Sequence, residues 1–258
     1  MQFIEMAKIY HKTFGFNVLP IQGKRPTIPW DNWQIIEQTE NDVISLGWNS
    51  TATGIGGVCG INELRNIDFD NVTDPGILEM ISKRLGVGEK YSWTIKSGSG
   101  VGYHIWFKVH ENEFLHKQLH GPKSVYRLYL KDEGICDHIE LRWKQSQTVL
   151  PYSLHDSGNR YSFLYVEPNQ PPIDVSADVL IECLDEYCDL KKEREVLEVG
   201  KRTFEPASFD KEKLESAVEF LENNLPTNCY DEWYRVGFAL TTIGEEGRKY
   251  FLQIAIFI

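Results

Sequence analysis

Asp68-Phe69-Asp70 ends the strand-like run Leu64-Arg65-Asn66-Ile67. Side chains two apart on a strand point the same way, so both carboxylates share one face. Neighbouring carboxylates repel each other and are costly to desolvate without a cation. A Mg²⁺ or Mn²⁺ ion held by oxygen ligands removes that conflict. In nucleotidyl transfer two such ions activate the attacking hydroxyl and stabilise the leaving pyrophosphate. The competing reading is a solvated strand end entering the turn Asp70-Asn71-Val72-Thr73-Asp74, since turns favour Asp. For Asp-x-Asp taken alone, that turn reading is the stronger one.

A second group is Ser97-Gly98-Ser99-Gly100-Val101-Gly102-Tyr103-His104, which continues into Ile105-Trp106-Phe107. A glycine-rich turn lets backbone amides approach an anion closely. His104 follows on a strand, placed to contact a triphosphate, with Lys96 and Lys108 on either side. The same residues serve equally as an ordinary hairpin with His104 packed beside Trp106. A third group is His138-Ile139-Glu140-Leu141-Arg142. Glu140 and Arg142 alternate onto one face, either as metal ligand and phosphate contact or as an ion pair of little weight. Further on, Pro151-Tyr152-Ser153-Leu154-His155 puts Ser153 and His155 on one face, ahead of Gly158 and Tyr161.

In this order the groups resemble the bifunctional primase-polymerase family of the archaeo-eukaryotic primase superfamily. Gly15-Phe16 with Val18 and Pro20, Gly23-Lys24-Arg25-Pro26 with Trp33, and Gly54-Ile55-Gly56-Gly57-Val58-Cys59-Gly60 add to the resemblance. It covers about residues 5–165. It implies an α/β module joined to a module like the RNA-recognition motif, with the active cleft between them. It implies that Asp68 and Asp70 (first motif) and Glu140 (third motif) ligate the metal. His104 (second motif) would contact the phosphates of the incoming nucleotide. Lys96, Ser97, Arg142, Ser153 and His155 are the further candidates for holding phosphates or template. Two departures stand. The second motif often reads Ser-x-His and here reads Gly102-Tyr103-His104, so Ser97, Ser99 or a backbone amide must replace the hydroxyl. The third motif is often Asp, and Glu140 is longer by one methylene.

The activity so implied is that of a DNA primase/polymerase acting on single-stranded DNA with NTPs or dNTPs, in phage or mobile-element replication. Two alternatives stay open: a degenerate nucleic-acid-binding module for replication initiation or defence, and a metal-dependent nuclease. A relaxase needs paired His ligands on one strand, and the sequence holds no such pair.

The elements that must position these residues form an α+β pattern. An opening amphipathic helix leads into a strand at 16–21, and Thr39 caps a short helix through Trp48. Residues 53–60 and 64–70 read as paired strands. A helix after Thr73-Asp74-Pro75 places Ile77, Leu78, Ile81 and Leu85 on one face. Strands follow at 91–97, 102–109, 124–131, 138–143, 147–153 and 161–166, rich in aromatic and branched residues. Asn169 to Asp174 breaks the pattern, and the chain then turns helical and acidic. The expected division is a catalytic domain at 1–175, a charged helical linker at 176–204 and a small helical domain at 205–258. Tyr230 to Leu240, with Gly244-Glu245-Glu246-Gly247, resembles the small domain that follows primase cores, where a helicase often comes next; the resemblance implies that Ile258 falls before that domain is complete.

The chain has 258 residues and a formal net charge of −11. The acid is concentrated: residues 182–232 carry 15 acidic and 7 basic side chains. Residues 1–181 are nearer balance, with 21 acidic and 17 basic, which leaves room for a local basic groove. Five cysteines without repeated spacing argue against a disulfide framework. Cys136 with His138, or Cys183 with Cys188, lacks the second half of a zinc site. The start reads as a helix and not a signal peptide, and the closing apolar run is too short to span a bilayer. A cytoplasmic protein without a membrane partner is the expectation.

Overall fold

Helix α1 (Phe3–Phe14) turns Met6, Ala7, Tyr10 and Phe14 inward, the spacing of an amphipathic helix. Strands β1 (Val18–Gln22) and β2 (Arg25–Pro26) form a tight hairpin. Helix α2 (Glu40–Ser45) starts on a capping box in which the Thr39 side chain and Asp42 satisfy each other's backbone amides. It stops before Trp48, whose indole donates to Val43 O at 2.7 Å. Strands β3 (Gly54–Cys59) and β4 (Leu64–Asp70) precede helix α3 (Gly76–Arg84). Then come β5 (Thr94–Lys96), β6 (Tyr103–Lys108), α4 (Glu113–Gln118), β7 (Val125–Leu128), β8 (His138–Arg142), β9 (Ser146–Val149), β10 (Ser162–Phe163) and α5 (Ala177–Tyr187). This computed structural model describes residues 3–48, 51–136 and 138–190, and in the tail 214–216, 218, 219, 240, 249 and 250.

The strands form two sheets, ordered β2-β1-β3-β9 and β10-β5-β6-β4-β8-β7. Every strand pairing in them is antiparallel. The fold is mixed helix and sheet, consistent with α+β. One expected pairing fails. β3 and β4 lie in different sheets, although Gly60 N donates to Leu64 O between them. The cause is local: Gly60, Asn62 and Glu63 all take positive φ, and the short helical turn they build redirects the chain. A Cβ at Gly60 would also meet the Lys144 backbone at 3.0 Å.

Period-two alternation divides the six-stranded sheet. Ile67, Phe69, Ile105, Ile139 and Leu141 are fully buried and join one cluster with Ile77, Leu78 and Ile81 of α3 and Leu180 and Leu184 of α5. The opposite face carries Asp68, Asp70, His104, Glu140 and Arg142. The Thr148 hydroxyl of β9 donates to Asn66 Oδ1 of β4 at 3.4 Å, one link between the two sheets.

The chain divides into units Met1–Glu193 and Arg194–Ile258. Helix α5 falls in the stretch expected as linker, yet it belongs to the first unit. Its Leu180, Cys183 and Leu184 are buried, and Arg84 of α3 pairs with Glu182 and Glu186. Most of the helical domain expected at 205–258 lies outside the described residues. Those that are described are helical, with Val218 and Leu240 buried, and Tyr250 donates to Glu215 at 3.2 Å.

Candidate active site

Three adjacent strands bring the key side chains together. In register, Asp68 of β4 stands opposite His104 of β6 on one side and Glu140 of β8 on the other. One step along, Asp70 stands opposite His138. Asp68 and Asp70 do share a face, as the strand period requires.

The pairs are electrostatically complementary. His104 Nε2 lies 3.2 Å from Asp68 Oδ1. The Arg142 Nε donates to Asp68 Oδ2 at 3.1 Å, and its Nη2 reaches Asp68 Oδ2 and Glu140 Oε2, each at 2.9 Å. Arg127 takes the other Glu140 oxygen at 3.1 Å. Burial alone would raise the Asp68 pKa, but the His104 and Arg142 charges beside it hold it well below the usual carboxylate range. Asp68 is therefore ionised at any working pH.

Asp68, Asp70, His104 and Arg142 open on a cleft of about 340 Å³ between the two sheets. From the six-stranded sheet it is lined by Asp68, Asp70, Ser97, Ser99, His104 and Arg142. From the other side come Lys24, Gln147, Thr148 and His155. The turn carrying Lys24 is tied to β9 by Gln147 Nε2, which donates to Lys24 O at 2.7 Å. Tyr161 stacks on His104, ring centroids 5.8 Å apart and planes 30° apart. Burial raises the Tyr161 pKa, with nearby Asp68 adding to it, so its hydroxyl stays protonated.

Residues 7–174 match the family described as bifunctional DNA primase/polymerase, N-terminal. The chain belongs to the bifunctional DNA primase/polymerase family. Among curated proteins the chain has no match. Membership makes it a nucleotidyltransferase-type enzyme whose substrates are nucleotides and a DNA template, and enzymes of this family use divalent metals. No described helix is long and apolar enough to cross a membrane.

Among the candidates, Asp68, Asp70, Ser97, His104, Arg142 and His155 line the cleft, and Glu140, Lys96 and Ser153 do not. Lys96 pairs with Tyr103 while His104 pairs with Ile95, so Lys96 lies on the face turned from Asp68. Ser153 is fully buried; its hydroxyl accepts from Ile55 N at 2.9 Å and braces the 150–155 loop on β3. Gly54 must be glycine there, because a Cβ would lie 2.4 Å from Ser153 Cβ. Lys108 sits four residues beyond His104, roughly 13 Å away along the strand, beside a second depression that includes Lys12 and Glu63.

The glycine-rich turn is mostly self-satisfied. The amides of Ser99, Gly100, Val101 and Gly102 donate to Ser97 or Ser99 oxygens. Gly98 serves packing, since a Cβ would lie 2.4 Å from His155 Cβ. That turn therefore docks the His155 loop, through bonds from Ser157 and Asn159 to Gly98 O.

The donor set suits a divalent ion: carboxylates on one face, and a buried His138 Nε2 without a hydrogen-bond partner between two of them. Asp68, Asp70 and Glu140 are not gathered within 4.8 Å of one another, whereas Glu63, His110 and Asp174 are, at the far end of β4. Among the described residues the cysteine pairs considered for zinc are not gathered with other ligands; Cys136, Cys183 and Cys188 are buried thiols outside any disulfide.

Sequence reading overlooked Lys24, which lines the cleft, and the pairing of His138 with Asp70, which lies outside that lining. Lys24 stands in the quoted Gly-Lys-Arg-Pro turn, but its place in one cleft with Asp68 depends on how the two sheets pack. His138 is visible in the sequence as the i−2 neighbour of Glu140 on the same face.

Proposed function

We propose that this chain is a template-directed DNA primase-polymerase whose Asp68, Asp70 and Glu140 hold Mg²⁺ or Mn²⁺. The observation that carries this is the register of three strands, which sets Asp68, a residue lining the cleft, between His104 and Glu140. Bound divalent ions would activate a primer or nucleotide hydroxyl and stabilise the leaving pyrophosphate. The residues of the chain do the positioning. Asp68 is kept ionised by His104 and Arg142, so it is ready to bind a cation without losing a proton. Arg142 holds the Asp68 and Glu140 carboxylates together against their mutual repulsion.

The His104 Nδ1 is buried and has no hydrogen-bond partner, the state of a group that a bound anion would satisfy. Tyr161 fixes the plane of its ring. Lys24 supplies positive charge on the facing wall, and His155 lies beside it, where a triphosphate or template phosphate would lie. The α/β and RNA-recognition-like modules are the reading we give to the two sheets. Residues 205–258 are read as a small helical domain that positions the core against a helicase or other partner, and replication of a mobile element in the cytoplasm as the setting. The test is incubation of the protein with single-stranded DNA, labelled nucleotides and Mn²⁺, with and without a primer. Template-dependent products support the reading; template binding without any incorporation would refute it in favour of a binding module.

A further inference from the structure

Glu63, His110 and Asp174 bring their donor atoms within 4.8 Å of one another. They lie away from the cleft. Glu63 stands just before β4, and Asp70 ends that strand, roughly 23 Å away along the backbone. The three donors come from three separate segments that main-chain bonds hold side by side. Val109 N donates to Glu63 O at 3.0 Å, Lys108 N to Ile173 O at 2.9 Å and Val175 N to Lys108 O at 2.8 Å. The backbones that carry the donors are thus fixed, and only side-chain torsions remain to be set.

The protein does not balance the charge at this spot. Glu63 pairs with His110 Nδ1, and among the described residues no lysine or arginine forms an ion pair with Glu63 or Asp174. Asp68 and Glu140 differ, since Arg142 bridges them. Two carboxylates this close repel each other, and one imidazole carries at most a single positive charge against their two negative ones. A surface ion pair accounts for Glu63 and His110 but leaves Asp174 over. One imidazole nitrogen with two carboxylate oxygens is a donor set of three-ligand zinc sites, where water takes the fourth position. With bonds of roughly 2.1 Å, tetrahedral donors stand about 3.4 Å apart. Small rotations close the present spread, and they meet little packing because the His110 side chain is 78% exposed and that of Glu63 38%.

We infer that Glu63, His110 and Asp174 form a second metal site, for a divalent transition-metal ion of the zinc type, and that the ion clips the segment leading into α5 onto the ends of β4 and β6. The inference is independent of the nucleotidyl-transfer reading of the cleft. The nitrogen donor sets the class of ion: imidazole suits transition metals, whereas Mg²⁺ keeps to oxygen ligands in near-ideal octahedral geometry. The clip extends the bridge that Lys108 and Asp174 already make between strand and segment. An ion that binds the folded chain alone stabilises it by mass action.

The experiment uses the full chain, with Co²⁺ and Zn²⁺ as the probes. Co²⁺ binding is followed by its visible absorption, and Zn²⁺ by the rise it causes in melting temperature. His110→Ala and Asp174→Asn are each expected to weaken Co²⁺ binding about tenfold or more, no less than the loss of an outer-shell partner costs. Both should also lose most of the Zn²⁺-induced rise, while primer extension with Mn²⁺ stays at the wild-type level. Asp70→Ala, a change in the cleft, is expected to keep both metal signals. Wild-type Co²⁺ binding in His110→Ala and Asp174→Asn would overturn the site. So would loss of the signal in Asp70→Ala alone, which would put the ion in the cleft. Binding seen only at millimolar metal and equally in every variant would mean an adventitious ion only, and the site would fall.

Discussion

His104 Nε2 lies 3.2 Å from Asp68 Oδ1, across the β4–β6 pairing. The contact joins the residue proposed to meet the triphosphate to the residue proposed to hold the metal. Removing His104 therefore acts twice. A hydrogen bond to a charged group is worth roughly 1.5–3 kcal/mol, so His104→Ala is expected to weaken nucleotide use by about tenfold or more. Steady-state kinetics over a range of nucleotide concentrations checks this; unchanged apparent affinity and rate would remove His104 from the site.

Asp70→Ala is expected to abolish nucleotide incorporation while leaving the fold intact. The Asp70 side chain is 48% exposed. Surface changes of this kind usually alter stability by about 0.5 kcal/mol or less. Primer extension and a thermal melt together decide it, and full activity in the variant would sink the metal assignment.

Arg142 bridges Asp68 and Glu140, so Arg142→Ala leaves two part-buried carboxylates facing each other. A destabilisation of about 3 kcal/mol is expected, at the lower end for a broken buried pair because the guanidinium is partly exposed. Added Mn²⁺ should return more stability to this variant than to the wild type, since a cation then replaces the lost charge. Thermal melts with and without metal measure both effects; equal metal-induced shifts would count against Asp68 and Glu140 as ligands.

Acid stability follows from Asp68. Its carboxyl is held below the usual carboxylate range in the folded chain, against opposing burial, by His104 and Arg142. The ionised form thus favours folding, fully so above the ordinary Asp value of about 3.9. As pH falls below that value, toward the depressed folded one, this contribution is lost. Asp68→Asn should be less stable at neutral pH and lose less on acidification. Denaturant midpoints at several pH values test this, and parallel curves for the two proteins would contradict it.

The tail should be separable from catalysis, but the cut must spare α5. A chain ending after Glu193 is expected to extend a primer. A chain ending at Ile173 strips the partners of α3 and exposes buried side chains, as Leu180, Cys183 and Leu184 show. It is expected to unfold at lower temperature or to aggregate. Melting and primer extension of the two truncations check the boundary, and a stable, active shorter chain would show that α5 is dispensable.

What the sequence determined by itself is what depends on neighbours along the chain. Strand periodicity placed Asp68 with Asp70 and Glu140 with Arg142, because alternation in a strand is a property of the backbone. Helix α3 and its buried face followed from spacing in the same way, and the order of motifs sufficed for the family. Tertiary structure decided what depends on register and on the packing of sheets. Lys96 and His104 are eight residues apart across a hairpin, and only the pairing of Lys96 with Tyr103 turns Lys96 away from the cleft. Ser153 reads as a site residue beside His155, yet the close approach of its loop to Gly54 buries it against β3. The positive-φ turn at Gly60 to Glu63 sends β3 and β4 into different sheets. Lys24 and Asp68 line one cleft because those sheets pack with β9 and the β1–β2 turn over the carboxylate face, a juxtaposition of residues far apart in sequence that no local pattern encodes.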